Sequence, residues 1–287
     1  MVFVWLCLPP ILLYFAFFAL YPIFSAFFIS LHRWSLTIPE RPFIGLDNYT
    51  WVLKEPVFLI ALKNTAYYAA AYIVLCVAIG LALGTMIYGF REPHKSIMQT
   101  IFFVPVMTSM IVVAQVFELM YAPGYGILNY LLKSVGLGPY MFTRSTTQVM
   151  PSIIAMGVWK SVGYYMVLFI AGLTTIPRSL YEAAWIDGAS RWQAFRRITL
   201  PLLTPTMLFS LVTGSISAFQ VFSQVYVMTQ PRGGPGKSSY VLLLYLFDQG
   251  FQYFEMGKAS AIAFLMFAVI LAVTLFQMRV IRRQFEY

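Results

Sequence analysis

Two clusters of residues in this sequence have types and spacings that could do chemistry. The first is polar but lies inside apolar chain. Lys160, Ser161, Tyr164 and Tyr165 recur at helical spacing in one apolar stretch, and Ser215, Ser217, Gln220, Ser223 and Gln224 recur in another. Hydroxyls and amides in such a setting can hold and release a hydroxylated solute without forming a covalent bond. The second cluster is charged and compact: Glu182, Asp187, Arg191, Arg196 and Arg197 sit between two long apolar runs. No Ser/His/Asp, Cys/His or paired-carboxylate grouping accompanies either cluster, so an enzyme reading has nothing to stand on. The stretch "GPGKSS" (234–239) ends like a phosphate-binding loop, but the glycine required five positions before Gly236 is Pro231. This chain is therefore not expected to bind or hydrolyse ATP itself.

The elements that must position these residues follow from composition. The chain has 287 residues, 60% of them hydrophobic and 10% charged, and its mean hydropathy is +0.77. Soluble domains carry about 25% charged residues, so this composition points to an all-α integral membrane protein. The net charge is +9, with the basic residues scattered through gaps between apolar runs. That pattern suits loops lying on anionic lipid headgroups and not the concentrated stripe of a nucleic-acid binder. Cys7 and Cys76 both fall in apolar runs, which argues against a disulfide framework or a metal site.

About 20 apolar residues in helix cross a hydrocarbon core of about 30 Å. Six segments meet that length: 5–31, 65–90, 96–118, 149–176, 200–229 and 257–279. The first is too long for a secretory signal and reads as a retained span. The run Val241–Phe247 is too short to cross and is expected to lie at the interface or pack on loops. Pro9, Pro10, Pro22, Pro105 and Pro205 are candidate kink or end points. In domain terms, 1–64 holds the first helix and an external loop, and 65–287 holds a core of five further helices. Lys and Arg are nearly tied between the two sides. They are densest in the short gaps 91–95 and 177–199 and in the tail 279–287. The positive-inside tendency then puts both termini and the charged loop in the cytoplasm. His32 and His94 fall on opposite faces in this topology and cannot share a site.

Lys160 lies near mid-span, where an ammonium costs about 2.5–3.5 kcal/mol on insertion scales. It marks either a polar pathway or a structural pair, for which Glu118 is a candidate, or it snorkels along its helix. The serines and glutamines of the fifth segment likewise admit two readings. They are interhelical hydrogen-bond glue, at about 0.6–2 kcal/mol each, or they line a path for a polyhydroxylated solute.

The charged loop carries two apparent capping boxes, Ser179-Leu180-Tyr181-Glu182 and Ser190-Arg191-Trp192-Gln193. Asp187-Gly188 between them supplies turn chemistry, with Gly188 free to take positive φ. Two short helices at an angle are predicted, the second ending near Pro201. Leu180, Ala183, Ala184, Trp192 and Phe195 are free to pack inward or on the membrane, with Arg191, Arg196 and Arg197 facing out.

The spacing Glu182-Ala183-Ala184, three residues, Gly188, nine residues, Ile198-Thr199-Leu200-Pro201 resembles the EAA motif of binding-protein-dependent ABC importer permeases. "FIGLDNY" (43–49) and "FQVFSQVYVMTQPRGGP" (219–235) resemble loops of the sugar-importing branch, so the resemblance runs over nearly the whole chain. One departure is the insertion of Pro231-Arg232 ahead of Gly233-Gly234-Pro235. The resemblance implies the type I importer permease fold with six transmembrane helices. Coupling helices would occupy 179–201, between the fourth and fifth spans.

It further implies a non-catalytic subunit of the bacterial or archaeal plasma membrane. The implied partners are a second homologous permease, two ATP-binding subunits that carry ATP and Mg, and an external solute-binding protein. Glu182, Ala183, Ala184, Asp187, Gly188 and Arg191 would couple to the ATPase. Lys160, Ser161, Tyr164, Tyr165, Ser217, Gln220 and Gln224 would line or adjoin the substrate path. Two rivals stand beside this reading. One is an ion-coupled secondary transporter, which would need mid-membrane carboxylates. The other is a membrane scaffold that recruits a cytoplasmic partner through 179–199.

Overall fold

The computed structural model describes residues 2–282, so Arg283 of the basic tail lies outside the described residues. The chain is helical almost throughout. Its long helices are α1 (Leu8–Ser30), α3 (Pro56–Tyr88), α7 (Val149–Thr174) and α13, which runs over Met256–Arg282. Between them come α2 (Asp47–Lys54), α4 (His94–Met107), α5 (Met110–Met120) and α6 (Ile127–Ser134). After α7 follow α8 (Arg178–Ile186), α9 (Arg191–Leu202), α10 (Thr204–Phe219), α11 (Ser223–Met228) and α12 (Leu242–Phe247).

Among the described residues, four helices are long and apolar enough to cross a membrane alone; the count reaches six if each of two bent pairs is one span. The predicted continuous helix over 96–118 is in fact α4 and α5, bent by 95°. Pro105 sits in the last turn of α4, and Thr108 and Ser109 are extended. Proline cannot donate its backbone bond to the preceding turn, which weakens the helix where it breaks. The predicted span over 200–229 is likewise divided. α9 and α10 meet at 62°, next to Pro205, and a second break over residues 220–222 separates α10 from α11.

The described chain forms two compact units. One joins the residues up to Ala61 with Leu242–Val269; the other joins Leu62–Val241 with the residues from Ile270 onward. In the first, the return of the chain after α1 is pinned by Asn48, whose amide donates to the carbonyls of Ser30 (2.8 Å) and His32 (2.9 Å). Gly257 must be small there, because a Cβ would overlap the His32 carbonyl. The short run Leu242–Phe247 forms α12, with Leu242 and Leu244 fully buried. Most side chains of α1 stay exposed, Phe17 and Phe18 among them, as suits a helix that meets lipid or another chain.

The second unit is organised on α7. Small residues set its distances to its neighbours. A Cβ on Gly80 of α3 would come within 2.6 Å of Tyr165, and one on Gly84 within 3.1 Å of Phe169. Gly80 and Gly84 form the G-x-x-x-G spacing that lets membrane helices approach closely. Gly163 of α7 backs onto the Phe102 carbonyl of α4, and Gly214 of α10 faces the Tyr165 hydroxyl. Ile87, Met166 and Ile170 fill the space between α3 and α7, with Phe102 and Met98 of α4 against them. The same unit holds the loop with the inserted Pro231-Arg232. Asn64 of α3 donates to the carbonyls of Lys237 (2.9 Å) and Tyr240 (3.0 Å), and Gly233 and Gly234 both have positive φ.

Candidate functional site: an uncharged cavity and a capped loop

Where α7 passes the breaks in the third and fifth segments, the second unit leaves a cavity of about 420 Å³. Volumes of about 300–1,000 Å³ are usual for small-molecule sites. Ser161, Tyr164, Tyr165, Ser217, Gln220 and Gln224, all singled out by sequence, line it together. The breaks explain why. Residues 220–222 leave helical geometry, so Gln220 in the break and Gln224 on α11 reach one space. Ala218 and Val221 also contribute to the wall.

The α3 contribution was not anticipated. Tyr68 and Tyr72, one helical turn apart, line the cavity and stack with ring centroids 5.4 Å apart. Gln224 donates to the Tyr68 hydroxyl at 3.0 Å, a buried bond between α11 and α3. Tyr72 shares the cavity lining with Ser161 and Tyr165. Gly157 gives Tyr68 its room, because a Cβ there would lie 2.8 Å from the Tyr68 hydroxyl. Thr213, Phe222 and Ser223 also line the cavity. A tyrosine pair at i, i+4 in a span was the signal that could have found the α3 wall.

Lys160 stands apart. It is buried, and its ammonium donates to the Val106 carbonyl at 3.3 Å. Among the described residues it makes no ion pair with Glu118. Val106 is in the last turn of α4, where carbonyls lack helical partners and a cation is favoured by the helix dipole. Lys160 therefore caps the broken span, and Val106 in turn lines the cavity.

The charged loop forms α8 and α9. The predicted box at Ser179 is not made: α8 starts at Arg178 with Pro177 as its N-cap, which leaves Ser179 inside the first turn. Pro177 ends the preceding chain in an extended conformation and so moves the helix start forward. Glu182 instead pairs with Arg178 at 3.1 Å, with both side chains largely exposed. The second box is complete: Gln193 N donates to Ser190 Oγ (3.3 Å) and Ser190 N donates to Gln193 Oε1 (2.7 Å).

Between the helices Gly188 has φ +79°. Its N–H donates to Trp185 O (3.1 Å) and that of Ala189 to Ala184 O (2.8 Å). These two bonds make a Schellman motif, in which glycine takes the left-handed position. Tyr181 and Thr199 join the two helices through their hydroxyls at 2.9 Å. The loop is thus stiff. Its outer face presents Glu182, Ala183, Asp187 and Arg191 to solvent with Trp185, Ile186 and Trp192. Ala194 and Thr199 face inward and Phe195 is half-buried, whereas Trp192 and Leu180 remain exposed. A cleft of about 630 Å³ lies behind the loop, between Tyr181 and Arg191 on one side and Tyr88 at the end of α3 on the other. No group of His, Cys, Asp and Glu among the described residues is placed to hold a metal ion.

Residues 76–286 match the family model described as binding-protein-dependent transport system inner membrane component. Over 280 residues the chain is 40% identical to the probable ABC transporter permease protein YurN of Bacillus subtilis, covering 96% of this chain and 94% of that protein. It is 34% identical over 276 residues to the trehalose/maltose transport system permease protein MalF of Thermococcus litoralis, covering 96% and 92%. Among solved structures, a bacterial ABC transporter involved in import of the acidic polysaccharide alginate matches with a TM-score of 0.86 at 26% identity. That match covers 98% of this chain and 95% of the other.

Proposed function

Because this chain belongs to the family of binding-protein-dependent transport inner-membrane components, we propose that it forms half of a sugar-type solute path whose opening is driven through α8 and α9. It is a multi-pass, non-catalytic permease subunit of an ABC importer. Its relatives include permeases for trehalose/maltose, arabinooligosaccharides and lactose, which supports a sugar or sugar-like solute here. In the proposed assembly it pairs with a second permease and two ATPase subunits, and an external binding protein delivers the solute. ATP and Mg belong to the ATPases.

The observation that carries this reading is the exposed face of α8 held at a fixed angle by Gly188. A motor can reorient spans only through a lever that does not yield. Closure of the ATPases would press on Glu182, Ala183, Ala184, Asp187, Gly188 and Arg191, and the rigid pair would pass the movement to α7 and α10, to which it is joined. The loop and both termini then lie in the cytoplasm. Solute would pass through the cavity of Ser161, Tyr164, Tyr165, Ser217, Gln220 and Gln224, with Lys160 supporting its wall.

The test is uptake by the reconstituted assembly carrying Glu182→Ala or Gly188→Pro. Both variants are expected to insert normally and to lose ATP-dependent uptake. Normal transport by both would defeat the lever assignment.

A further inference from the structure

Taking the cavity as the solute path, we propose that it selects an uncharged, polyhydroxylated solute, and that Lys160 is a positioning residue for the cavity wall and not a counter-charge for the solute. Of the described side chains lining the cavity, none is Lys, Arg, Asp, Glu or His. What the lining offers is neutral: donors and acceptors from Ser161, Thr213, Ser217 and Gln220, and ring faces from Tyr164 and Phe222. Sugar hydroxyls match the first set, and the C–H faces of a sugar ring match the second. A carboxylate or phosphate entering the same space would shed water and meet no opposite charge, which is strongly unfavourable.

Lys160 is the cation that an acidic solute would need, and it adjoins Ser161 in sequence. The geometry commits it elsewhere. Lys160 and Gly163 are three residues apart and share one face of α7. On that face the Cα of Gly163 closes onto the Phe102 carbonyl, and the Lys160 ammonium reaches the Val106 carbonyl at 3.3 Å. Both contacts are to the backbone of α4, and the second is in its last turn. Ser161, Tyr164 and Tyr165 point to the cavity from the neighbouring face. Removing the ammonium leaves Val106 O without that donor and loosens a wall residue, but takes no charge out of the lining. The fold does not itself dictate neutrality, since the alginate transporter it resembles is involved in import of an acidic polysaccharide.

The experiment uses the full assembly with its binding protein, held in the ATP-bound state by an ATPase subunit unable to hydrolyse. It is incubated with neutral di- and trisaccharides and with the uronates of the same linkage and length, and retained saccharide is quantified. Neutral members should be retained, with uronates at least about a hundredfold weaker, as an unpaired charge in a closed site demands. Lys160→Met should lower retention of the neutral saccharides several-fold and leave the neutral-to-acidic ratio unchanged. Lys160→Arg, whose guanidinium can still donate to the Val106 carbonyl, should restore retention.

Uronates held as tightly as neutral sugars would overturn the inference while leaving the cavity as the path. So would selective loss of uronate retention in Lys160→Met. Retention of neither class by an assembly that still closes on ATP would remove the path reading itself, and this inference with it.

Discussion

Replacing Gly188 by alanine isolates the one property the lever needs. The residue sits at φ +79°, and a Cβ built on it would meet nothing within 4 Å. Alanine therefore introduces no clash and no lost contact; its cost is the left-handed backbone alone, about 1–2 kcal/mol for a residue with a Cβ. At about 1.4 kcal/mol per tenfold, the correctly bent loop loses about five- to thirtyfold in weight against straighter forms. Asparagine, which tolerates this region better, should lose less. Proline cannot adopt the conformation and also deletes the 3.1 Å bond to Trp185 O. Uptake per inserted permease should fall in the order Gly, Asn, Ala, Pro. The assay is ATP-dependent uptake by proteoliposomes, normalised to permease content and read beside solute-stimulated ATP hydrolysis. If alanine were as inactive as proline, or if proline transported normally, the bend would not be what the residue supplies.

Other substitutions test other joints of the structure. Ser190→Ala breaks the capping box of α9 and should cost about 1 kcal/mol of loop stability, seen as faster hydrogen exchange over 190–194 with uptake only partly reduced. Gln224→Leu keeps the volume but strips the buried Tyr68 hydroxyl of its donor, at about 1–3 kcal/mol. A lower unfolding temperature and weaker solute retention should appear together. Asn64→Leu leaves the Lys237 and Tyr240 carbonyls without their shared partner, and exchange at the Gly233 and Ser239 amides should rise while α7 stays protected. Gly163→Val forces a side chain into the Phe102 carbonyl, so the folded permease recovered from membranes should drop sharply.

Much of the architecture was legible in the residues because apolar length is a strong signal. The six segments, the non-spanning run at 241–247, the bend at Gly188 and the box at Ser190 all rest on local chemistry. What the sequence hid depends on contacts distant along the chain. Pro105 was visible as an end point, but the 95° turn it permits also needs Thr108 and Ser109 extended and Lys160 capping α4 from 54 residues away. Tyr68 and Tyr72 escaped notice because they sit in a mostly apolar helix, where only their one-turn spacing tells the wall of a cavity from a face toward lipid. The supposed box at Ser179 failed because the S-x-x-E pattern is short. Pro177 upstream decides where the helix begins.

On the proposed lever mechanism, this chain moves solute by borrowing force from ATPases seated on α8 and α9. Its most direct test is uptake into proteoliposomes holding both permeases and the ATPases, with binding protein and solute outside. Uptake should require ATP on the ATPase side, survive dissipation of ion gradients and disappear with Glu182→Ala. Uptake driven by an ion gradient without ATP, or undiminished after the ATPases are removed, would contradict it.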